Sequence, residues 1–119
     1  MAPVLLSQAM LPSLRAGSKI AMITSRMGSI SDNSSGGYYG YRMAKAALNA
    51  GAVSLARDLQ AKQIAVGIYH PGFVQTQMVA FAGDISPTEA AKRLAERISE
   101  LNLTNSGRFY HSNGTELPW

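Results

Sequence analysis

The chain has 119 residues, of which 46% are hydrophobic and 15% are charged, a balance typical of one globular domain and not of a disordered chain. It contains no cysteine, which excludes disulfides and thiolate metal sites. Its two histidines, His70 and His111, are far apart in the sequence, so no metal site is expected, and His70 is interpreted as structural. The net charge of +4 is spread along the chain without a basic run, which argues against nucleic-acid binding and is compatible with an anionic ligand.

The N-terminal stretch MAPVLLSQAMLPSLRAG has no basic residues ahead of its apolar part, and Ser7, Gln8 and Pro12 interrupt that part. This pattern fits neither a signal peptide nor a membrane span. We therefore expect a soluble, cytoplasmic protein without a membrane partner. Apolar spacing predicts a first helix over residues 3–15, with a bend or an end at Pro12.

Two short apolar runs with β-branched residues, KIAMITS at 19–25 and IAVGIYH at 64–70, are typical of buried parallel strands. A polar, glycine-rich segment at 26–39 is predicted to be a loop, and a long helix is predicted from Gly40 to Lys62. Its core-facing stripe is predicted to consist of small and large apolar residues: Ala44, Leu48, Ala52, Leu55 and Leu59.

The next helix is predicted to start with Ser86 as its N-cap, Pro87 in first position and Glu89 at the capping-box position. The last segment, 107–119, is predicted to be a third strand with a polar turn at 112–114. Helices and strands thus alternate along the chain, which predicts an α/β fold with a doubly wound parallel sheet.

Tyr41 and Lys45 are four residues apart in the long predicted helix, so their side chains are expected on the same face. A positive charge beside a phenol favours the phenolate, which makes tyrosine usable as an acid or a base. In open α/β sheets ligands bind beyond the carboxyl ends of the strands. Ser25 and Ser29 follow the first strand, and HPGFVQT begins at the end of the second, so both are expected at that edge.

Three pieces of the sequence, ITS at a strand end, YRMAK at a helix start and PGFVQT after the next strand, together resemble the classical branch of the short-chain dehydrogenase/reductase family. The longer strings SRMGSI and GGYYGYRMAKAALN are most similar to its carbonyl-reductase-like subgroup, which includes C-signal and Sniffer proteins. The resemblance covers nearly the whole chain and implies the C-terminal half of a Rossmann-like domain. It also implies an NAD(P)(H) cofactor, with no indication of NAD or NADP, and a small-molecule carbonyl or alcohol substrate.

The resemblance assigns roles by position. The implied catalytic residues are Ser25, Tyr41 and Lys45. The implied cofactor-binding residues are Tyr41, Lys45, Pro71, Gly72, Val74 and Thr76. The implied walls of the substrate pocket are Ser29, Tyr38, Tyr39 and Phe73. Ser29 competes with Ser25 for the contact to the substrate oxygen, and Ser25 is the preferred assignment.

The sequence has no G-x-G-x-x-G fingerprint, the motif that brings a backbone close to a pyrophosphate. We therefore expect residues 1–119 to be a single partial domain that lacks the N-terminal dinucleotide-binding half and is inactive by itself. The alternative is a non-catalytic binding or oligomerisation module. In that case a homo-oligomer would form through helix 40–62 and its small residues: Ala44, Ala46, Ala47, Ala50, Gly51 and Ala52.

Overall fold

The computed structural model describes residues 1–75, 80 and 82–119. The helices and strands are α1 (Ala2–Met10), β1 (Lys19–Ile23), α2 (Tyr39–Leu59), β2 (Ala65–His70), α3 (Pro87–Glu100) and β3 (Phe109–His111). Short 3-10 turns follow α1, β1 and α2, at Leu11–Ser13, Arg26–Gly28 and Gln60–Lys62. This order confirms the predicted alternation of helices and strands.

The three strands form one parallel sheet in the order β1-β2-β3. β2 lies in the centre, and its residues are buried except for the half-buried His70 at its end. In the register of the sheet Ile23 lies beside Tyr69, and His70 lies beside His111. Because all strands run the same way, the residues that follow them meet at one edge, which confirms the α/β prediction with its parallel sheet.

Helices lie on both faces of this sheet. Side chains alternate between the faces along each strand, and Met22, Val66 and Ile68 join Ala52 and Ala56 of α2 in the hydrophobic core. On the opposite face, the Lys19 ammonium donates to the carbonyls of Ile98 and Ser99 at the end of α3, and the Tyr69 hydroxyl donates to the carbonyl of Arg97. Burial of the apolar side chains between the layers supplies the main stabilisation.

The first helix is shorter than predicted. α1 ends at Met10, and Leu11–Ser13 continues as a 3-10 turn. Pro12 has no N–H to donate to the carbonyl of Gln8, and the Leu11 N–H donates there instead. The predicted effect of Pro12 is therefore confirmed, whereas the helical extent over 3–15 is wrong.

The long helix runs from Tyr39 to Leu59, and its predicted stripe is correct in part. Ala52 and Leu59 lie in the core, with Leu48 and Leu55 packed against it, but Ala44 is exposed and Ala56 is buried instead. The buried residues of α2 are Asn49, Ala52, Ala56 and Leu59. The buried face therefore begins at Asn49, about one turn after the predicted start at Ala44. Of the small residues proposed as a helix-contact face, Ala52 is inside the core, so that set does not form one accessible stripe.

The third strand is also shorter than predicted, because the tail turns back on it. The polar turn at 112–114 is present, with Gly114 at φ +96°, and the Leu117 N–H then donates to the carbonyl of Phe109. At the start of α3, the Ser86 hydroxyl accepts from the Glu89 N–H, which confirms the predicted N-cap.

Candidate functional site

Tyr41 and Lys45 lie in the first two turns of α2, at the carboxyl edge of the sheet. The Lys45 ammonium is 5.6 Å from the centroid of the Tyr41 ring, so the four-residue spacing brings charge and phenol together as predicted. The Tyr41 side chain is 40% exposed. Among the described residues neither the hydroxyl nor the ammonium has a hydrogen-bond partner.

Ser25 follows the end of β1 and caps the 3-10 turn Arg26–Gly28. Its hydroxyl oxygen accepts from the Met27 N–H at 3.1 Å, and the residue is 7% exposed. A hydroxyl that accepts one bond still has its own proton to donate. The Ser25 hydroxyl therefore keeps a proton that it can donate in a hydrogen bond.

Ser29, the competing serine, is 2% exposed. Its hydroxyl accepts from the Asp32 N–H at 3.1 Å and stabilises the loop in which it lies. Arg26 and Asp32 form an ion pair across the same loop, at 3.1 Å. Ser29 is thus the more enclosed of the two serines.

A close backbone contact brings the serine turn against the helix that carries Tyr41 and Lys45. A Cβ added at Gly28 would lie 2.9 Å from the carbonyl carbon of Lys45 and 2.7 Å from Nδ2 of Asn49. Asn49 is buried, and its carboxamide has no hydrogen-bond partner in the part of the chain that the structure describes. Sequence reasoning missed both residues, although a glycine three positions after Ser25 and a polar residue on an apolar helix face were visible signals.

Arg42 is a further residue that sequence reasoning missed. Its guanidinium donates to the carbonyls of Gly36 and Gly37 and to the hydroxyl of Ser35. It also reaches the carbonyl of Met27 at 3.5 Å. Arg42 therefore holds the glycine-rich loop against the start of α2, next to the predicted pocket residues Tyr38 and Tyr39, which are exposed.

The turn after β2 carries most of the residues assigned to the cofactor. The Pro71 carbonyl accepts from the Ser112 hydroxyl at 2.9 Å, and Gly72 is buried with φ +97°, a conformation that favours glycine. Val74 forms a parallel bridge with Ile85. Phe73 is half exposed, and Thr76 lies outside the described residues.

His70 and His111 end the two neighbouring strands, and their rings meet edge to face with centroids 5.1 Å apart. His70 Nδ1 accepts from the Arg26 N–H at 3.0 Å. Burial, and then the nearby His111 and Arg26, lower the pKa of His70 to about 4. Burial likewise lowers the pKa of His111, with contributions from Arg26 and Arg93. Both imidazoles are thus kept neutral near pH 7.

Within the described residues no three His, Asp or Glu side chains are arranged to hold a metal ion. The same part of the chain contains no helix long and apolar enough to span a membrane. The phenol of Tyr41 and the ammonium of Lys45 lie together on α2, and the turn after Ser25 packs against that helix at Gly28, on a parallel sheet with helices on both faces. This combination defines a Rossmann-like α/β protein with its candidate site at the carboxyl edge.

Comparison with known proteins identifies the family. The family model described as enoyl-(acyl carrier protein) reductase matches residues 1–104. The chain is 41% identical to C-signal of Myxococcus xanthus over 119 residues, which cover 98% of this chain and 72% of that protein. It is also 41% identical to 1-hydroxy-2-glutathionyl-2-methyl-3-butene dehydrogenase of Rhodococcus sp. (strain AD45), covering 98% of this chain and 54% of the relative. The chain belongs to the short-chain dehydrogenase/reductase family.

Solved structures agree with this assignment. The carbonyl reductase Sniffer of D. melanogaster is 32% identical and superposes with a TM-score of 0.89, covering 98% of this chain and 52% of that one. An NADPH-bound carbonyl reductase from chicken fatty liver is 31% identical with a TM-score of 0.90, covering 99% of this chain and 53% of that one. The chain therefore spans about half the length of these structures.

The Gly28 contact predicts a steric effect of adding one methyl group. Gly28→Ala should destabilise the fold by about 1–3 kcal/mol, because the new Cβ would press on the backbone of Lys45. Gly40→Ala, a few residues before Lys45 in the same helix, is the matched control. A Cβ there meets no atom within 4 Å among the described residues, so it should leave stability unchanged or raise it by about 0.5–1 kcal/mol. Urea unfolding of both variants checks this, and equal stabilities would contradict the contact.

The lowered pKa of His70 predicts that stability depends on pH. In the unfolded chain the imidazole takes up a proton near pH 6.5, whereas in the fold it does so only near pH 4. Stability is therefore fully present above about pH 6.5 and is lost as the pH falls toward 4. Since the ring is partly solvated, we expect a loss on the order of 1 kcal/mol between pH 7 and pH 5.

Urea unfolding at several pH values between 7 and 5 measures this loss. This pH range lies above the one in which most carboxylates titrate. His70→Asn removes the titrating group and should flatten most of the slope. If the free energy of unfolding falls with pH as steeply in His70→Asn as in the wild type, other groups cause the pH dependence.

Proposed function

We propose that the chain is the catalytic half of an NAD(P)-dependent oxidoreductase that reduces a small carbonyl compound or oxidises the corresponding alcohol. The observation that carries this proposal is the Lys45 ammonium held 5.6 Å from the Tyr41 ring, at the carboxyl edge of the sheet and beside the Ser25 turn. A cytoplasmic location is part of the proposal and is compatible with a chain that has no cysteine.

The three side chains have complementary roles in this proposal. Tyr41 donates a proton to the carbonyl oxygen during reduction and accepts it from the alcohol in the reverse direction. Lys45 places a positive charge beside the phenol in both directions. Ser25 holds the substrate oxygen through the hydroxyl proton that its own turn leaves free. Ser29, Tyr38, Tyr39 and Phe73 are proposed to line the substrate pocket.

The turn after β2 fits the nicotinamide end of such a cofactor. In the parallel bridge, the Gln75 N–H donates to the Ile85 carbonyl and the Ile85 N–H donates to the Phe73 carbonyl. The N–H and carbonyl of Val74 therefore point to the other side, where we propose that they meet a carboxamide. Gly72, with its positive φ, allows this backbone to turn toward the site. We propose that Pro71, Gly72, Val74 and Thr76 hold the carboxamide, and that Tyr41 and Lys45 bind the adjoining ribose. When bound, the nicotinamide supplies or accepts the hydride.

The pyrophosphate end has no counterpart in this sequence, which lacks G-x-G-x-x-G. Among the described residues β1 pairs with β2 on one side only, which leaves an edge where further strands could add. We propose that residues 1–119 form a single partial domain and that a dinucleotide-binding half adds at this edge. By itself the chain should bind NADH or NADPH weakly or not at all.

A chimera that supplies the missing half of the fold tests the proposed oxidoreductase function. A chimera in which the corresponding N-terminal part of the Rhodococcus relative precedes residue 1 should bind NADPH or NADH and turn over a simple aldehyde or ketone. In that chimera Tyr41→Phe should lower kcat by roughly 100-fold or more, because it removes only the proton donor, and should leave the dinucleotide Kd nearly unchanged. Titration calorimetry and absorbance at the NAD(P)H band measure the two quantities.

Tyr110→Phe is the control, since it removes a tyrosine hydroxyl in β3, outside the proposed site. It should retain turnover. Full activity in Tyr41→Phe would contradict the assigned acid, and micromolar dinucleotide binding by the 119-residue chain alone would contradict the proposed division of the site.

A second candidate function is assembly, and exposed apolar side chains on α1 favour it. Leu5, Leu6 and Met10 are 54%, 65% and 48% exposed, on a helix that packs against α2, where Val4 approaches Gly51. We propose that this α1–α2 surface forms a homo-oligomer. Such a contact would bury apolar side chains that a monomer leaves in water.

A charge on this surface tests the assembly proposal. Leu6→Glu should weaken self-association by roughly tenfold or more, because it places a carboxylate in an apolar contact. Gln8→Glu adds the same charge to an exposed position of the same helix and is the control. Sedimentation velocity over a concentration series measures both, and a wild-type chain that stays monomeric throughout would rule the proposal out.

A further inference from the structure

His70 joins the serine turn to the cofactor turn. It is the last residue of β2 and directly precedes Pro71 and Gly72. Its side chain reaches across to the neighbouring strand end, where Nδ1 accepts from the N–H of Arg26 at 3.0 Å. Arg26 directly follows Ser25, so one imidazole connects the two turns to which the proposed function assigns substrate and cofactor.

The hydrogen bonds at the start of the serine turn show why this acceptor matters. A helical turn begins with N–H groups that have no partner within the turn. Here the Met27 N–H donates to the Ser25 hydroxyl, and the Gly28 N–H donates to the Ser25 carbonyl. The remaining donor, the Arg26 N–H, has His70 as its acceptor. The bond lies at an exposed position, so removal of the acceptor would leave this donor to water and release the start of the turn beside the buried Ser25.

The other side of the His70 ring is supported by β3. His111 packs against it edge to face, and the His111 Nδ1 accepts from the Asn113 N–H at 3.0 Å. The Ser112 N–H donates to the His70 carbonyl at 2.9 Å, while the Ser112 hydroxyl donates to the Pro71 carbonyl. These contacts restrict the orientation of the His70 ring. Its Nδ1 is therefore fixed in place as the acceptor for the Arg26 N–H.

We propose that His70 is a positioning residue that orients the Ser25 hydroxyl relative to the Pro71–Gly72 turn through the hydrogen bond that its Nδ1 accepts from Arg26. The bond requires a neutral ring with its proton on Nε2, since a protonated imidazole has no acceptor. The charged and titratable groups near the two histidines are Arg26, Asp32 and Arg93. The role in substrate positioning rests on the proposed function, whereas the hydrogen bond itself is a property of the chain.

Amide hydrogen exchange on the 119-residue chain tests the bond without any need for activity. His70→Asn retains an acceptor, because its Oδ1 can take the place of Nδ1. His70→Leu has a similar size and no acceptor. We expect the Arg26 amide to exchange roughly tenfold or more faster in His70→Leu than in the wild type, with protection largely restored in His70→Asn. The Ser112 amide, which donates to the backbone of residue 70, should remain protected in both variants.

Two outcomes of the exchange experiment would overturn the proposal. The Arg26 amide could keep its protection in His70→Leu, or all core amides could lose protection together, which would indicate a general loss of stability. In the NADPH-binding chimera, His70→Leu should lower kcat and His70→Asn should restore most of it, with little change in dinucleotide Kd. Loss of dinucleotide affinity in parallel with kcat would also contradict a role at Ser25. A wild-type chimera without turnover would instead count against the proposed function, while the exchange result would still decide the hydrogen bond.

Discussion

The pairing of β2 with a parallel strand on each side determines where the candidate functional residues that follow the strands lie. β2 is buried from Ala65 to Tyr69, and burial on both faces requires that its backbone groups be satisfied by neighbouring strands. With β1 and β3 in parallel register, the segments that follow all three strands meet at one edge. Ser25, His70 and Ser112 come together there although the sequence separates them widely. The site is therefore a consequence of strand direction.

Strand pairing alone does not join this edge to α2, and a second contact does so. Gly28 lies against the backbone of Lys45 at a distance that leaves no room for a methyl group. Arg42 adds hydrogen bonds from α2 to the loop at 35–37. Trp119 supports the other end of this loop, since its carbonyl accepts from the N–H groups of Ile30 and Ser31 and its ring stacks on Phe109 with centroids 5.3 Å apart. The loop that carries the serines is thus held from three directions.

Local patterns predicted much of this arrangement. The four-residue spacing of Tyr41 and Lys45 was sufficient to predict their contact, because helix geometry is the same wherever a helix forms. The Ser86 cap and the end of α1 before Pro12 follow from equally local rules. Three predictions were less accurate: the burial of Ala44, the length of the third strand and the extent of the first helix. Which face of α2 is buried depends on how the helix is placed on the sheet, and the tail beyond 112 turns back because it pairs with β3.

Sequence by itself determined the order of helices and strands, the family resemblance and the Tyr41–Lys45 pair, since each depends on residues close together in the chain. Only the tertiary structure decided that Gly28 touches the helix at Lys45, that Ser25 is nearly buried, and that His70 accepts from the residue next to Ser25. The two contacts join residues 17 and 44 positions apart. Their geometry depends on strand register and layer packing, which arise from the summed burial of many side chains and leave no short motif in the sequence.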